Sequence, residues 1–316
     1  MTKKATIFIP VYNGENDHLN ETLEAISRQK TDFDWDLFII DSGSKDASVS
    51  IIKNYCSNHE NSRMMEIPNS DYSHGETRQR AAELSEGEIM VYLSQDAIPA
   101  DENWLKEMVE PFSISDDIVA VLGRQIPRSN CFPLQKQDIN NVFNSQGIPG
   151  AVTLHDKYSN DLGRAKFYSD VCSAARRDIL VSKIPYQSVN YAEDQAFGKD
   201  VIESNYIKAY TGKGAVIHSN DIRRFEYKGR IVDEYLGLKK AGVEFTKPKK
   251  RDLLNMVIRG GLQDMLFSLR DREYSKKQKF YFFITAPIYR YNRWKGIVEA
   301  YDNNANNSLE NNKKRF

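Results

Sequence analysis

The sequence predicts an α/β fold, a mostly parallel sheet flanked by helices, with a helical extension at the C-terminal end. Three observations carry this. The run Ile89-Met90-Val91-Tyr92-Leu93 is five apolar residues long, as a strand covered on both faces requires, and it ends in Ser94-Gln95-Asp96-Ala97. The same pattern recurs twice: Leu37-Phe38-Ile39-Ile40 runs into Asp41-Ser42-Gly43-Ser44, and Thr6-Ile7-Phe8-Ile9-Pro10 runs into Val11-Tyr12-Asn13-Gly14. Between these runs the apolar residues recur at helical spacing, and alternating strands and helices indicate right-handed βαβ units.

The elements follow in order. After the first strand, Leu19, Leu23 and Ile26 mark one face of a helix. The second strand, Leu37 to Ile40, leads to a helix from Ala47 to Tyr55 and a short strand from Met64 to Ile67. His74 opens a helix that runs to about Ser85 and that Gly87 stops before the Ile89 strand. Val119 to Gly123 is a further strand, and Arg124 to Arg164, with Pro127, Pro133 and Pro149, reads as a long irregular loop. Strands are expected at Phe167–Cys172, Tyr206–Tyr210 and Ala215–Ile217, with a helix from Ala192 to Ser204. Beyond His218 the pattern is helical, near 223–241, 251–271 and 276–300. The expected division is therefore a catalytic domain over 1–220, a helical, basic and aromatic extension over 221–300, and a disordered, asparagine-rich tail over 301–316.

Composition narrows the class. With 40% hydrophobic and 11% aromatic residues in 316, the chain can bury a full core. Three cysteines, an odd number without a Cys-x-x-Cys pair, argue against a disulfide framework and for a reducing, cytoplasmic setting. The short apolar run Ala5–Val11 ends without a small-residue cleavage site, and no stretch is long enough to span a bilayer. Net charge is zero, yet Thr246 to Ile297 holds 13 Lys/Arg against 4 Asp/Glu. Such an excess of +9 suggests an anionic partner.

Strand ends that deliver polar and acidic residues to one sheet edge are where open α/β sheets bind ligands. Asp96 is a candidate ligand for Mg²⁺ or Mn²⁺, which take oxygen donors together with substrate phosphates; an aspartate after a strand also serves as a turn or cap residue. Asp41 has the same two readings, as an acceptor for a base or ribose and as a turn residue. Glu193 and Asp194 open a helix, which suits acids on dipole grounds, and either also suits a general base. His218 follows a strand, as a structural histidine or a weak ligand candidate, and Arg78 near a helix start can meet phosphate or ribose or simply lie at the surface. No G-x-x-x-x-G-K-[ST] and no G-x-G-x-x-G occurs, which argues against P-loop ATPases, kinases and NAD enzymes and leaves a metal to neutralise a diphosphate.

Taken together, Thr6-Ile7-Phe8-Ile9-Pro10-Val11-Tyr12-Asn13-Gly14, Ile40-Asp41-Ser42-Gly43-Ser44-Lys45-Asp46, Gln95-Asp96-Ala97 and Ala192-Glu193-Asp194 resemble the family 2 glycosyltransferases of GT-A fold, in order and spacing from about Ala5 to His218. Ser73-His74-Gly75-Glu76-Thr77-Arg78, Ser94-Gln95-Asp96-Ala97-Ile98-Pro99 and Ser173-Ala174-Ala175-Arg176-Arg177 are similar to the bacterial rhamnosyltransferase branch. The resemblance implies inverting transfer of a sugar, L-rhamnose from dTDP-rhamnose, to a saccharide or lipid-linked acceptor in cell-surface polysaccharide synthesis. It implies that Asp41 meets the base and that Pro10, Tyr12, Arg78 and Gln95 line the donor pocket. It also assigns Asp96 and His218 to the metal, Mg²⁺ or Mn²⁺, and makes Asp194 the catalytic base with Glu193 beside it. Ser94 departs from the pattern, standing where the first Asp of the acidic motif is usual. A transferase using another nucleotide sugar, or a non-catalytic nucleotide-sugar-binding protein, are the competing readings.

The basic end interleaves cations and rings: Lys276-Lys277-Gln278-Lys279 precedes Phe280-Tyr281-Phe282-Phe283-Ile284, and Tyr289-Arg290-Tyr291-Asn292-Arg293-Trp294-Lys295 follows. This suits the inner face of an anionic membrane, and it equally suits rings packed internally beneath a solvated face. No nucleic-acid recognition module is visible, so none is expected as a partner.

Overall fold

The computed structural model describes residues 4–188, 192–220, 222–240 and 245–302. Nine strands form one sheet: β1 (Ala5–Val11), β2 (Trp35–Asp41), β3 (Ser62–Glu66), β4 (Ile89–Leu93), β5 (Ile98–Pro99), β6 (Ile118–Ile126), β7 (Val152–His155), β8 (Cys172–Arg176) and β9 (Ile207–Ile217). Their order is β3-β2-β1-β4-β8-β6-β9-β5, with β7 also on β9. The β3–β2–β1–β4 half is parallel throughout, as the apolar runs predict. Beyond it the sheet is mixed, because β8 runs antiparallel to both β4 and β6, while β9 is parallel to β6.

That reversal positions the site. The carboxyl ends of β1, β2, β4, β6 and β9 and the amino end of β8 all lie at one edge; Leu93 sits opposite Cys172. Ile7, Ile9, Ile39, Val91 and Leu93 are fully or almost fully buried beneath it, each contributing about 1.5–3 kcal/mol by leaving water. Phe8 meets Phe38 and Tyr92 at ring centroid separations of 6.0 and 5.9 Å on the other side of its strand.

Three elements differ from expectation. The segment read as an irregular loop holds the helix Pro133–Gln146 and the strand β7. Pro133, whose fixed φ suits a first helical position, starts the helix, and the mostly polar stretch Gln135–Asn141, broken by Ile139 alone, hides its period. The strand expected at Phe167–Cys172 is displaced to Cys172–Arg176, since small buried Ser173, Ala174 and Ala175 make no apolar run. The two strands expected after Tyr206 are one, β9, continuous through Thr211-Gly212-Lys213-Gly214 with a register shift where Thr211 pairs Gly123 and Ala215 pairs Arg124.

The chain forms two compact units, residues 1–126 with 142–218, and residues 127–141 with 219–316. In the second, the helix Tyr227–Lys240 and a capped helix Lys276–Tyr301 enclose Phe132, Tyr227, Ile231, Tyr289 and Ile297, with Phe132 stacked on Tyr289 at 4.2 Å. A third helical stretch runs from Lys250 to Arg270, π-helical over Leu254–Arg259. The tail from residue 303, expected to be disordered, lies outside the described residues.

Candidate active site

The loops after β1 and β2 are stitched together by their own polar side chains. Asn13, held at a positive φ of 50°, donates its N–H to Ser44 Oγ (2.8 Å) and accepts from Lys45 N (2.8 Å). Gly14 N–H donates to Ser48 Oγ at 2.7 Å, and Glu15 and Asp46 cap each other's loop. Asp41 is buried, and its carboxylate accepts from Gly43 N (3.0 Å), Ser44 N (2.9 Å) and Ser44 Oγ (2.5 Å). Its oxygens hold the turn, in which Gly43 takes a φ of 81° that favours glycine. Gln95 ties the β4 loop to the β1 loop: Oε1 accepts from Tyr12 N at 2.9 Å, and Nε2 donates to Asp17 Oδ2 at 2.9 Å. Tyr12 itself remains 44% exposed beside half-buried Pro10, open to a ligand.

At the ends of β6 and β9, His218 is buried and its Nε2 lies 3.3 Å from Asp96 Oδ2. Gln125 donates to Ser169 Oγ (3.2 Å), which turns its Oε1 to His218 Nδ1 at 3.1 Å. That acceptor places the ring proton on Nδ1 and presents Nε2 to the Asp96 carboxylate, the orientation in which imidazole serves as a ligand. Among the described residues no group of three or more His, Cys, Asp or Glu is placed to hold a metal. The pair fits a divalent cation that completes its shell with diphosphate oxygens and water. Ser94 contributes its backbone instead of an acid, closing a turn with Ala97.

A third group surrounds Asp194. Arg78 is buried, with Nη1 2.8 Å from Glu193 Oε1 and Nε 3.1 Å from Asp170 Oδ2. Gly75, one turn before Arg78, passes so close to the Gln187 carbonyl that a Cβ there would stand 2.0 Å from its oxygen. Asp170 accepts from Ser173 Oγ at 2.6 Å, and its own N–H donates to Asp194 Oδ2 at 3.3 Å. Gln195 N–H donates to Asp194 Oδ1 at 2.7 Å. Ser94 N–H donates to Val171 O at 3.2 Å, so Asp170-Val171 links the Asp96 loop to Asp194. Ala192, just before the helix Glu193–Glu203, is held at a φ of 62°, an unfavourable backbone for alanine that the surroundings impose.

Two of these three carboxyls, Glu193 and Asp170, thus pair with one guanidinium. Burial, then the neighbouring Glu193 and Asp170, pushes the Asp194 carboxyl well above the usual range, against the pull of Arg78. Burial likewise raises Asp170 to about 6, opposed by Arg78. Glu193, paired to Arg78, is engaged structurally, whereas Asp194 is half-buried and, among the described residues, has two backbone donors on its oxygens.

Of the nine sequence candidates, Pro10, Tyr12, Asp41, Gln95, Asp96 and His218 lie at or just after strand ends and Arg78, Glu193 and Asp194 near helix starts; Asp170 and Gln125 were not among them, and Ser173 stood in a quoted motif without a role. Asp170 belongs to no motif. Its signal is the polar Ser169-Asp170 junction before a strand, which counts only once β8 is known to run backwards.

Fold and site describe a glycosyltransferase of GT-A architecture. The glycosyl transferase family 2 model matches residues 6–181, over half of the chain, and the protein belongs to that family. The chain is 33% identical over 234 residues to the O-antigen chain rhamnosyltransferase RfbN of Salmonella typhimurium, covering 73% of this chain and 71% of that one. It is 32% identical to the O-antigen chain rhamnosyltransferase WbaN of Salmonella anatum, over 68% of this chain and 66% of the relative. Among solved structures, the mannosyltransferase PcManGT from Pyrobaculum calidifontis, in complex with GDP-Man and Mn²⁺, superposes with a TM-score of 0.61 at 15% identity, covering 96% of this chain and 87% of that one. S. aureus TarS 1-349 gives 0.54 at 15% identity, covering 95% and 92%.

Proposed function

We propose that the protein is an inverting sugar transferase that uses a nucleotide diphosphate sugar, with L-rhamnose from dTDP-rhamnose as donor and a saccharide or lipid-linked acceptor, at the inner face of the cell membrane. Similarity to the two Salmonella rhamnosyltransferases supports the choice of sugar. The observation that carries the reaction type is Asp194, a carboxyl raised by desolvation at the sheet edge that also holds Asp96 and His218.

In this reading Tyr12, Pro10 and the loop that Asp41 organises receive the nucleoside, with Gln95 fixing Tyr12. Asp96 and His218 would hold Mg²⁺ or Mn²⁺, which supplies charge neutralisation at the diphosphate. Asp194 accepts the proton of the acceptor hydroxyl as that oxygen bonds to the anomeric carbon from the face opposite the diphosphate. The anomeric C–O bond breaks, and its electron pair leaves on the diphosphate. A β-linked donor then gives an α-linked product. Arg78 and Asp170 hold Glu193 and Asp194 in place.

Purified protein assayed with a panel of nucleotide sugars tests the reading. Asp194→Asn is expected to lower turnover by about two orders of magnitude or more with donor affinity nearly intact, as loss of a general base does. Near-wild-type turnover would remove Asp194 from the mechanism, and donor binding with neither transfer nor hydrolysis in the wild type would favour a binding protein.

A further inference from the structure

The C-terminal unit contains a helix that is inside out. In the helix Gly260–Arg270 the buried residues are Gly260, Gly261, Asp264 and Ser268. Asp264 is wholly buried and paired by both oxygens to Arg290, at 2.7 Å each, while Gly261 packs against Pro287. The leucines face the other way. Leu254, Ile258, Leu262, Leu266 and Leu269 are 42–63% exposed. At about 100° per residue, Leu262, Leu266 and Leu269 fall within an arc of about 60°, roughly opposite the buried glycines and aspartate. The neighbouring helix Lys276–Tyr301 is apolar on both sides: Phe282, Tyr289 and Ile297 are buried in the core of the unit, yet Phe280, Tyr281, Ile284, Ile288 and Tyr291 remain 40–69% exposed.

A water-facing helix puts its polar residues outward. A helix that buries small and polar residues and exposes leucines, next to one that exposes isoleucines and aromatics besides those it buries, is built to meet an apolar phase. Charge selects which one. Arg259 and Arg270 border the leucine arc on one side by helical position, and Lys277 lies on the same arc as Phe280 and Ile284. Arg259, Arg270, Arg272, Lys276 and Lys277 have no ion-pair partner among the described residues. A cavity of about 670 Å³ beside this stripe is lined by Leu266, Phe267, Arg270 and Arg272, together with Asp271 and Glu273, whose carboxylates turn to Lys136. Cations bordering an exposed apolar stripe match an interface of acyl chains beneath anionic headgroups. No described helix is long and apolar enough to cross a membrane.

We infer that the stripe Leu254–Leu269 and the exposed rings and isoleucines of Phe280–Tyr291 dock the protein on an anionic bilayer, their apolar side chains at the acyl boundary and their arginines and lysines at the headgroups. The inference does not rest on the transfer chemistry, since vesicle binding and donor turnover are read separately.

The test is co-sedimentation of the full chain with phosphatidylcholine vesicles, with and without phosphatidylglycerol, for wild type and for Leu262→Glu/Leu266→Glu. Both substitutions fall on exposed positions, and an unchanged thermal melting curve checks that the variant is folded. A second variant, Arg270→Ser/Lys277→Ser, removes charge without touching the stripe. The expected result is wild-type binding to anionic vesicles, weakened by high salt, and at least about tenfold weaker binding for either variant. Equal binding of all three proteins would overturn the inference, as would wild-type protein that leaves both vesicles unbound. Self-association in solution, with no vesicle binding and dissolved by the leucine variant, would assign the face to a second copy and overturn it too.

Discussion

Asp41 and Asp194 are both aspartates at the ligand-binding edge of the same sheet, and the fold treats them in opposite ways. Asp41, at the end of a parallel strand, has three donors on its two oxygens, all from its own turn. Asp194, at a helix start, has two backbone donors, one of them long, and faces two further carboxyls. The first carboxylate is used up in shaping a loop, and the second is left short of donors in a desolvated place. Hydrogen-bond supply, more than residue type or burial, separates a residue that builds a pocket from one able to take a proton.

The comparison can be broken most severely at Arg78, which pairs with both Asp170 and Glu193. Arg78→Met is expected to cost about 3–5 kcal/mol of stability by leaving buried acids unpaired, measured by denaturant unfolding. A loss under about 1 kcal/mol would mean that the acids are already neutral. Asp41→Asn keeps the shape but halves the acceptor capacity; it is expected to cost about 1–3 kcal/mol and to raise the donor KM more than it lowers kcat. The reverse split would make Asp41 a participant in the chemical step.

The smallest effect has the opposite sign. A carboxyl whose pKa is raised on folding adds stability below its unfolded value of about 4, and that contribution is lost as pH rises through the folded value. Above its unfolded value this carboxyl therefore opposes folding, because the folded surroundings disfavour its charge. Asp194→Asn is expected to be more stable than wild type at pH 7, with the gain vanishing below about pH 4. A variant less stable than wild type at pH 7 would show that the Asp194 charge is favourably paired.

Legibility in the sequence follows the same contrast. The runs Thr6–Val11, Leu37–Ile40 and Ile89–Leu93 announce strands because both of their faces are covered, so every position is apolar. Cys172–Arg176 is buried as deeply, but crowding between β4 and β6 selects alanine and serine, which carry no periodic signal. Asp96, His218, Glu193 and Asp194 could be marked because each stands at the end of a recognisable element. Asp170 and Gln125 acquire their roles from strand direction and from neighbours far away in the chain, here His218 and Asp194. The exposed leucines of the C-terminal unit were visible as residues, but only the packing of Gly261 and Asp264 shows which way they point.

The central claim is that Asp194, with its raised pKa, is the base. The pH profile of kcat/KM tests it most directly, because it reports the essential groups of the free enzyme. The ionised form is the active one, so activity should fall on acidification with a midpoint well above the ordinary carboxylate value of about 4, and this acid limb should be absent from the residual activity of Asp194→Asn. A midpoint near 4, or an acid limb that survives the substitution unchanged, would contradict the account.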